Sequence, residues 1–402
     1  MGTEAAGRGL AERVKADALE LGFDLVGIAN PAPSKHLPFY ERWLSEGRHG
    51  EMAYLARPAA LARRADLKET LAEVRSVVVV GMDYLADREE GPPPPDIGVI
   101  ARYARGRDYH RVLERKLRAL LERIARRAAV PVTGRAYVDT GPLLERELAQ
   151  RAGLGWFGKN TMLINPRRGS WFFLGVLLVD IELESDPPFT DDHCGSCTRC
   201  LEACPTGALL GRDGAGAPTM DANRCISYLT IEQRGPIPEE LRTAIGNRVF
   251  GCDICQEVCP FNVRFPELTR EPSFAARGPA ERPLGVEAEG GRGIDGRPGS
   301  HAAADGAGEH FEPWHPGTRE PSLLDLMGMT REEWDAFSRG SAIRRAGYAG
   351  FKRNVAVALG NWLAGWSDPP EGATATLRAG LDDEFLVREH AAWALERVGT
   401  EG

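Results

Sequence analysis

All eight cysteines of the 402-residue chain fall within one stretch, residues 194–259. The first four precede Pro205 with the spacing C-x2-C-x2-C-x3-C-P, and they are Cys194, Cys197, Cys200 and Cys204. Bacterial ferredoxins use this run to hold iron-sulfur cubes, because the two-residue gaps let three thiolates converge from one tight loop. This feature constrains the fold most, and it predicts a bacterial-ferredoxin-like module.

The second group of cysteines begins and ends like the first but lacks one member. It consists of Cys252, Cys255 and Cys259 before Pro260, which leaves Cys225 as the remaining candidate ligand. In two-cluster ferredoxins the fourth cysteine of a run binds the other cluster. We therefore predict two 4Fe-4S clusters. Their predicted ligand sets are Cys194, Cys197, Cys200 and Cys259 for one cluster, and Cys204, Cys225, Cys252 and Cys255 for the other.

Zinc is the alternative for these cysteines, because four-cysteine zinc sites also begin with C-x2-C pairs. Zinc does not require three evenly spaced cysteines with a fourth before a proline. Disulfides fit less well, since a cytosolic chain of this size does not need them. Paired clusters carry single electrons, so with every iron capped by cysteine the substrate chemistry must take place elsewhere in the chain.

Composition limits the kind of protein and its partners. With 402 residues and 43% hydrophobic content, the chain is long enough for two or three domains. No apolar stretch approaches the length of a membrane span and the first ten residues carry no apolar signal region, so we expect no membrane association and a cytoplasmic location. A net charge of -8 argues against broad coating of nucleic acid, and an RNA partner would need a local basic patch.

Hydrophobic patterns predict an α+β multidomain protein whose first domain, residues 1–185, has an α/β fold. Apolar bursts of strand length occur at residues 23–28, 77–81 and 171–179, and they predict a buried parallel or mixed sheet. The clearest helix is predicted over residues 109–129. Its apolar residues recur at helical spacing beneath a basic face, and they are Leu113, Leu117, Leu120, Leu121 and Ile124.

The rest of the chain divides by composition. Residues 186–268 form the predicted two-cluster domain, and residues 269–320 are rich in Gly, Pro, Arg and Ala, which predicts a flexible linker or insertion. Residues 321–402 show helical spacing. Two similar units, centred on residues 354–363 and 387–398, predict a C-terminal cap of HEAT-like helical repeats.

Asp139 is the candidate catalytic residue of the first domain. It follows the apolar Tyr137 and Val138 and precedes a Thr-Gly-Pro turn, which places a carboxylate at a strand end just before a helix. A carboxylate desolvated there by a bound cofactor could hold a raised pKa and act as a general acid. The alternative is that Asp139 caps a helix over residues 143–152.

Two further features of this domain have both a functional and an ordinary interpretation. The glycine-rich turn at residues 153–160 contains Lys159 and Asn160, and either lets backbone amides approach a bulky ligand or is an ordinary loop. It matches no phosphate-loop spacing. His110 lies beside Asp108 and after a group of arginines, where it either contacts substrate or starts the basic helix.

Several motifs together resemble those of the epoxyqueuosine reductases, which are corrinoid iron-sulfur enzymes that complete the queuosine base in tRNA. The resemblance covers most of the chain. Its motifs are Tyr103-Ala104 with Asp108-Tyr109-His110, V-D-T-G-P-L-L-E-R at residues 138–146, G-L-G-W-F-G-K-N at 153–160, Gly169-Ser170-Trp171, the first cysteine run with C-P-T-G-A, C-I-S-Y-L-T at 225–230, and C-D-I-C-Q-E-V-C-P-F-N at 252–262.

This resemblance implies a cofactor and its site. It implies that base-off cobalamin lies between the first domain and the ferredoxin module, without a protein histidine on cobalt. The family's general acid falls on Asp139. The cobalamin contacts implied by the resemblance are Arg64, Arg102, Asp139, Lys159, Asn160, Leu163 and Ser170.

The resemblance also implies the reaction and the partners. The wobble-position epoxide of tRNA carrying epoxyqueuosine would be reduced to an alkene with loss of water, the last step of queuosine biosynthesis. We expect an external low-potential electron donor and a monomeric enzyme. A basic cluster in the cap is predicted to bind RNA phosphates or else to be a solvated helical face, and its members are Arg339, Arg344, Arg345, Lys352 and Arg353.

Two rival functions remain at this point. Another corrinoid iron-sulfur reductase, such as a reductive dehalogenase, would share the electron path but has no need of a basic helical cap. An electron carrier without cobalamin would use the cap to bind a protein partner.

Overall fold

The structure is a computed structural model that describes residues 2–88, 91, 93–128, 130–275, 321–364, 366, 368–370 and 372–400. Residues 276–320, which make up most of the predicted linker, lie outside the described residues. In the first domain the elements are α1 Gly2–Glu20, β1 Leu25–Ala29, α2 Leu37–Ser45, α3 Pro58–Ala65, β2 Ser76–Asp83, β3 Val99–Ile100, α4 Tyr109–Ala128, β4 Gly134–Tyr137, α5 Glu145–Arg151, β5 Trp156–Phe157, β6 Leu163–Ile164 and β7 Phe172–Val179. The three predicted strands and the long basic helix are confirmed.

The central sheet of this domain is antiparallel throughout, so the prediction of a parallel or mixed sheet is wrong. Its strand order is β1-β2-β7-β4, and each neighbouring pair runs antiparallel. Continuous apolar runs are typical of parallel sheets, which are covered on both faces. Here helices cover both faces of an antiparallel sheet, which produces the same pattern of sequence.

Alternate residues of β2 show how the two faces are covered. Val78 and Val80 point into a core shared with α1 and α4, where Leu113 and Leu117 are fully buried. Val77 and Val79 point into a second core on the other face, which contains α5. Burial of a side chain of this size contributes roughly 1.5–3 kcal/mol, so the two cores fix the register of the sheet that carries Asp139 at the end of β4.

The cysteine-rich module consists of short helices and one hairpin. Its elements are α6 Arg199–Ala203, β8 Leu209–Arg212, β9 Pro218–Met220, α7 Ile226–Ile231, α8 Glu239–Ile245, β10 Arg248–Phe250, α9 Ile254–Glu257 and α10 Pro260–Arg264. Pro260 occupies the first turn of α10 directly after Cys259, where a missing amide donor costs nothing. β10 pairs with β3 of the first domain, so a backbone ladder joins the two parts.

The C-terminal region is helical, as the sequence predicts. Its helices are α11 Leu323–Gly328, α12 Arg331–Ser338, α13 Tyr348–Leu363, α14 Ala373–Ala379 and α15 Phe385–Thr400, with a 3-10 helix at Ala342–Ala346. Phe351 and Val355 of α13 belong to the same apolar core as Ile237 and Phe250 of the cysteine-rich module. The cap and the module therefore share one core, and the HEAT-like repeat stays a prediction.

The start of the predicted linker packs on the first domain. Residues 272–274 form a 3-10 helix, and the ring of Phe274 lies 5.0 Å from that of Phe173 and is 3% exposed. No helix in the described part of the chain is long and apolar enough to cross a membrane.

Candidate active site and cluster-binding module

Asp139 lies on the turn that follows β4, and its backbone takes an unusual conformation. Its φ of 58° is in the left-handed region, which costs energy for most residues and is most readily adopted by Asn and Asp. Its amide donates to Glu145 Oε1 at 2.8 Å, and its side chain is 69% exposed. The N-cap of α5 is Leu144, so the interpretation of Asp139 as the cap of this helix is wrong.

Two side chains at the start of α4 face the carboxylate of Asp139. The Tyr109 hydroxyl donates to Asp139 Oδ2 at 2.8 Å, and His110 Nε2 lies 3.7 Å from the same oxygen. His110 Nδ1 donates to Asp108 Oδ1 at 2.6 Å. The imidazole thus lies between two carboxylates. The position of His110 beside Asp108 in the sequence was compatible with this arrangement but did not establish it.

The pKa values of these groups move in opposite directions. Burial opposes a charge on His110, but its hydrogen bond to Asp108 and the nearby carboxylate of Asp139 raise its pKa to about 9. Partial desolvation opposes ionisation of Asp139, yet the nearby imidazole of His110 and the hydrogen bond from Tyr109 lower its pKa. His110 is therefore the protonated partner at neutral pH, and Asp139 is the acceptor.

Glu145 is a second proton-holding group in the site. Burial and the negative charge of Asp139 raise its pKa to about 8. The raised pKa predicted for Asp139 depended on a bound cofactor, whereas in the protein chain itself the raised values belong to Glu145 and His110. Two groups with raised pKa values, His110 and Glu145, therefore lie beside the exposed carboxylate of Asp139.

The eight cysteines are all free thiols, and their electrostatic effects on one another fall mainly into two sets. Burial raises the pKa of Cys200 to about 11, and Cys194, Cys259 and Cys197 add to this rise as near neighbours. Burial raises the pKa of Cys255 well above its ordinary value, and the charges of Cys252 and Cys225 add to this rise, with smaller additions from Asp253 and Cys200. Burial also raises the pKa of Cys225, and the charge of Cys204 adds to that rise. These effects follow the predicted ligand sets except for that of Cys200 on Cys255, and the ligand sets themselves remain a prediction.

The turn between β5 and β6 reaches both groups of cysteines. Lys159 Nζ donates to the carbonyl oxygens of Gly195 at 2.7 Å and of Cys197 at 3.0 Å. The next residue, Asn160, donates from Nδ2 to the carbonyl of Cys255 at 3.1 Å. These two residues are predicted cobalamin contacts, and the structure places them on the loops of both predicted clusters.

A buried polar network fixes the module against the first domain. Asn262 Oδ1 accepts from the Ser170 amide at 2.6 Å, and Gln256 Nε2 donates to the Ser170 carbonyl at 3.0 Å. The preceding Gly169 has a φ of 69°, and a Cβ there would lie 2.1 Å from Asn262 Oδ1. Sequence reasoning missed Gln256 and Asn262. The only signal for them was their position within the second cysteine motif.

The other predicted cobalamin contacts are dispersed. Leu163 is 3% exposed and lies in the core of the first domain, and Ser170 is 1% exposed. Arg64 is buried with its guanidinium 5.1 Å from the ring centroid of Tyr40, and its Nε has no hydrogen-bond partner among the described residues. These contacts remain predictions.

Arg102 lies at the boundary between the two domains. Its amide donates to Asp253 Oδ2 at 2.7 Å, and its guanidinium lies 3.3 Å from Asp87 and 3.7 Å from Glu257. Its cobalamin contact likewise remains a prediction.

The predicted basic cluster of the cap is wrong for two of its members. Arg353 is 1% exposed and donates to the carbonyl oxygens of Gln233 at 2.9 Å and Gly235 at 2.6 Å. Lys352 is 7% exposed and pairs with Asp383 at 2.8 Å. Both lie on α13, which is buried on nearly all sides. Helical spacing could not show this, because charged residues are ordinarily expected on a solvated face.

Family models match two segments of the chain. Residues 193–262 match the 4Fe-4S double cluster binding domain, and residues 64–140 match the family described as Epoxyqueuosine reductase QueG, DUF1730. The first match indicates that these cysteines are ligands of iron-sulfur clusters and not of zinc. The second includes Asp139 and the start of α4.

Curated relatives match along nearly the whole chain. The epoxyqueuosine reductase of Pseudomonas aeruginosa is 40% identical over 97% of this chain and 95% of its own length. That of Escherichia coli K12 is 40% identical over 96% of this chain and 89% of its own length.

Solved structures agree with these sequence matches. An epoxyqueuosine reductase crystallised with an epoxyqueuosine-modified tRNA-Tyr stem loop is 28% identical, covers 97% of this chain and 90% of its own, and has a TM-score of 0.76. The Bacillus subtilis enzyme, captured with its aspartate catalytic loop swung out of the active site, is 27% identical over 97% of this chain and 91% of its own, with a TM-score of 0.74.

Fold and site together define an iron-sulfur protein of the double-cluster class, joined to an α/β domain with a carboxylate site. At the level of identity and coverage found, the chain belongs to the epoxyqueuosine reductase family.

Proposed function

We propose that this protein reduces epoxyqueuosine to queuosine at the wobble position of tRNA, as the last step of queuosine biosynthesis. The observation that carries the proposal is the exposed carboxylate of Asp139, which accepts from Tyr109 and lies 3.7 Å from a charged imidazole. Conversion of an epoxide to an alkene consumes two electrons and two protons and releases one water. The double-cluster module supplies a path for the electrons, and the Asp139 site supplies the protons.

Two 4Fe-4S clusters and base-off cobalamin are the cofactors we propose. The clusters would be held by the two cysteine sets given above, and support comes from the effects of Cys194, Cys197 and Cys259 on the pKa of Cys200 and of Cys252 and Cys225 on that of Cys255. For cobalamin, support comes from two buried polar atoms without a partner among the described residues, Arg64 Nε and His110 Nε2. When bound, cobalamin supplies a reduced cobalt that can deliver electrons to the epoxide-bearing ring.

Asp139 is the proposed general acid. His110, which is charged at neutral pH with a pKa of about 9, supplies a proton to the carboxylate of Asp139 across the short gap between them. As the carbon-oxygen bond breaks, Asp139 passes this proton to the epoxide oxygen. A positioned acid of this kind contributes roughly 100- to 10,000-fold in rate. Tyr109 keeps the carboxylate oriented through its hydrogen bond.

The parts of the chain have distinct proposed roles. Residues 1–185 bind cobalamin and catalyse the reaction, and residues 186–268 hold the clusters. We propose that residues 321–402 bind the tRNA through phosphate contacts. Three exposed members of the predicted basic cluster carry this proposal after the exclusion of Lys352 and Arg353, and they are Arg339, Arg344 and Arg345. We also propose that the enzyme is a cytoplasmic monomer that takes electrons from an external low-potential donor.

Anaerobic conversion of the nucleoside tests this function. The protein, reconstituted with iron, sulfide and cobalamin, is incubated with a chemical reductant and tRNA that carries epoxyqueuosine. Nucleoside mass analysis should then show queuosine in place of the epoxide. A persistent epoxide with the fully reconstituted protein would refute the proposal, and omission of cobalamin serves as the control for the cofactor.

A further inference from the structure

Three separate parts of the chain meet at one exposed aromatic residue. Tyr54 belongs to the 3-10 helix Ala53–Ala56 of the first domain, Glu232 follows α7 of the cysteine-rich module, and Arg345 belongs to the 3-10 helix Ala342–Ala346 of the cap. The guanidinium carbon of Arg345 lies 5.6 Å from the ring centroid of Tyr54. A cation at this distance interacts favourably with the ring.

Glu232 holds the guanidinium in one orientation. Arg345 donates from Nε to Oε1 and from Nη2 to Oε2 of Glu232, both at 2.9 Å. This is the bidentate geometry that fixes the plane of an arginine. The backbone is held as well, because Arg234 Nη1 donates to the Arg345 carbonyl at 3.0 Å. The Arg345 side chain is therefore already ordered in the folded protein and loses little conformational entropy when a ligand binds.

The surfaces of both groups remain open to solvent. Tyr54 is 39% exposed and the Arg345 side chain is 48% exposed, whereas Glu232 is 18% exposed. An exposed ring beside an oriented guanidinium is the combination on which proteins stack unpaired bases of RNA. A surface ion pair alone would stabilise the fold by about 0–1 kcal/mol and would need no tyrosine beside it.

Electrostatic interaction links this cluster to the carboxylate of Asp139. Burial raises the pKa of Tyr54, and the negative charges of Glu232 and Asp139 contribute to the rise. Asp139 is therefore within electrostatic range of the ring. A nucleotide next to one whose sugar or base reaches Asp139 would be near Tyr54.

We propose that Tyr54 and Arg345 form a stacking platform for an unpaired nucleobase adjacent to the reacting nucleoside, with Glu232 as the residue that positions Arg345. This inference rests on the proposed function. The platform holds the neighbouring base and so fixes the loop of the RNA while the reacting nucleoside occupies the site. The platform contacts the face of a base and not its edge, so it tolerates different bases at this position.

The test uses the full chain with reconstituted cofactors and an RNA stem loop that carries 2-aminopurine beside the wobble position. Stacking on an aromatic ring changes the fluorescence of 2-aminopurine, and anisotropy of a distant label gives the dissociation constant. Tyr54→Ala should abolish the fluorescence change and weaken binding by about tenfold to a hundredfold. Tyr54→Phe keeps the ring and should bind within about twofold of the unchanged protein.

Matched variants separate the platform from a general surface effect. Glu232→Gln should weaken binding less than Tyr54→Ala, because Arg345 stays present but loses its bidentate partner. Leu19 of α1 is an exposed apolar residue outside the cap, at 52%, and Leu19→Ala should bind as the unchanged protein does.

Three outcomes would overturn the inference. Tyr54→Ala could bind and report stacking like the unchanged protein, or Leu19→Ala could lose as much affinity as Tyr54→Ala. In either case the platform is wrong while the proposed function stands. If the unchanged protein binds no RNA stem loop at all, the proposed function fails and the platform with it.

Discussion

The hydroxyl of Tyr109 donates to the carboxylate of Asp139 at 2.8 Å, and this contact joins the first turn of α4 to the turn after β4. Tyr109 is nearly buried, with its ring stacked on Phe173 at 4.1 Å between centroids. The position of the carboxylate is therefore set by the core of the first domain. Because the acceptor has a strained φ of 58°, the hydrogen bond also helps to hold a conformation that the backbone alone disfavours.

Replacement of Asp139 tests its role as general acid. Asp139→Asn keeps the size of the side chain but removes the transferable proton, so we expect the rate of nucleoside reduction to fall by about 100- to 10,000-fold. Iron content and cobalamin binding should be unchanged. Asp191→Asn, at an exposed carboxylate, is the control and should be fully active. Normal turnover by Asp139→Asn would leave the carboxylate without a catalytic role.

The pH dependence of the reaction reports the charge on His110. Its pKa of about 9 is raised, so the imidazole is charged below this value and loses its proton as the pH rises through it. We expect the rate to fall in the same range, and His110→Gln should lower the rate and remove this limb of the profile. A limb that is unchanged in His110→Gln would contradict the assignment.

Glu145 titrates close to the same range and needs its own control. Its pKa is about 8, and Glu145→Gln keeps an oxygen that can accept from the Asp139 amide while removing the titration. We expect the limb near pH 9 to persist in this variant. Its disappearance would show that Glu145, rather than His110, controls the supply of protons.

Lys159 should tune one cluster more than the other. Its ammonium group donates to the carbonyls of Gly195 and Cys197, and a positive charge near a cluster favours the reduced form. Lys159→Met should lower the equilibrium constant for one-electron reduction of the cluster predicted on Cys194, Cys197, Cys200 and Cys259 on the order of tenfold. This change corresponds to a reduction potential lower by about 59 mV.

Potentiometric titration followed by electron paramagnetic resonance measures this shift. Lys159→Arg, which keeps the charge, should move the potential less, and Lys68→Met at an exposed site should have no effect. Equal shifts of both clusters in Lys159→Met, or no shift in either, would show that Lys159 does not act through the first cysteine loop.

Arg353 should matter for stability and not for RNA. Arg353→Met leaves buried carbonyl oxygens of Leu229, Gln233 and Gly235 without their donor, and each such hydrogen bond from a charged group is worth about 1.5–3 kcal/mol. We expect a loss of several kcal/mol in the free energy of unfolding of the module and cap, measured by denaturant titration. Arg344→Met, at an exposed site, should change it by about 0.5 kcal/mol or less. Comparable effects of the two variants would contradict the burial of Arg353.

The sequence predicted the elements of the fold better than their arrangement. Strands and helices were visible because apolar spacing is a local property. The direction of the strands in the sheet was not, since a run such as that of β2 is equally apolar in a parallel or antiparallel sheet with two covered faces. The shared core of module and cap brings together Phe250 and Phe351, which are far apart in sequence.

In the candidate site, too, some residues could be proposed from local sequence while their long-range contacts could not. The cysteines were proposed from a spacing that is fixed by chemistry, whereas Asp139 was proposed from its place at a strand end and from the family resemblance. The carbonyl contacts of Lys159 and Asn160, and the network of Gln256 and Asn262, depend on how the first domain meets the module. No local pattern encodes such contacts, so they appear only in three dimensions.

A single-turnover experiment tests most directly whether electrons stored in the cysteine-bound clusters reduce the epoxide with a proton from Asp139. The reconstituted protein is reduced, freed of excess reductant and mixed anaerobically with an epoxyqueuosine stem loop. We expect queuosine to form in proportion to the two electrons lost by the clusters, and Asp139→Asn to retain its electrons. Clusters that stay reduced in the unchanged protein while the RNA is bound would contradict this mechanism.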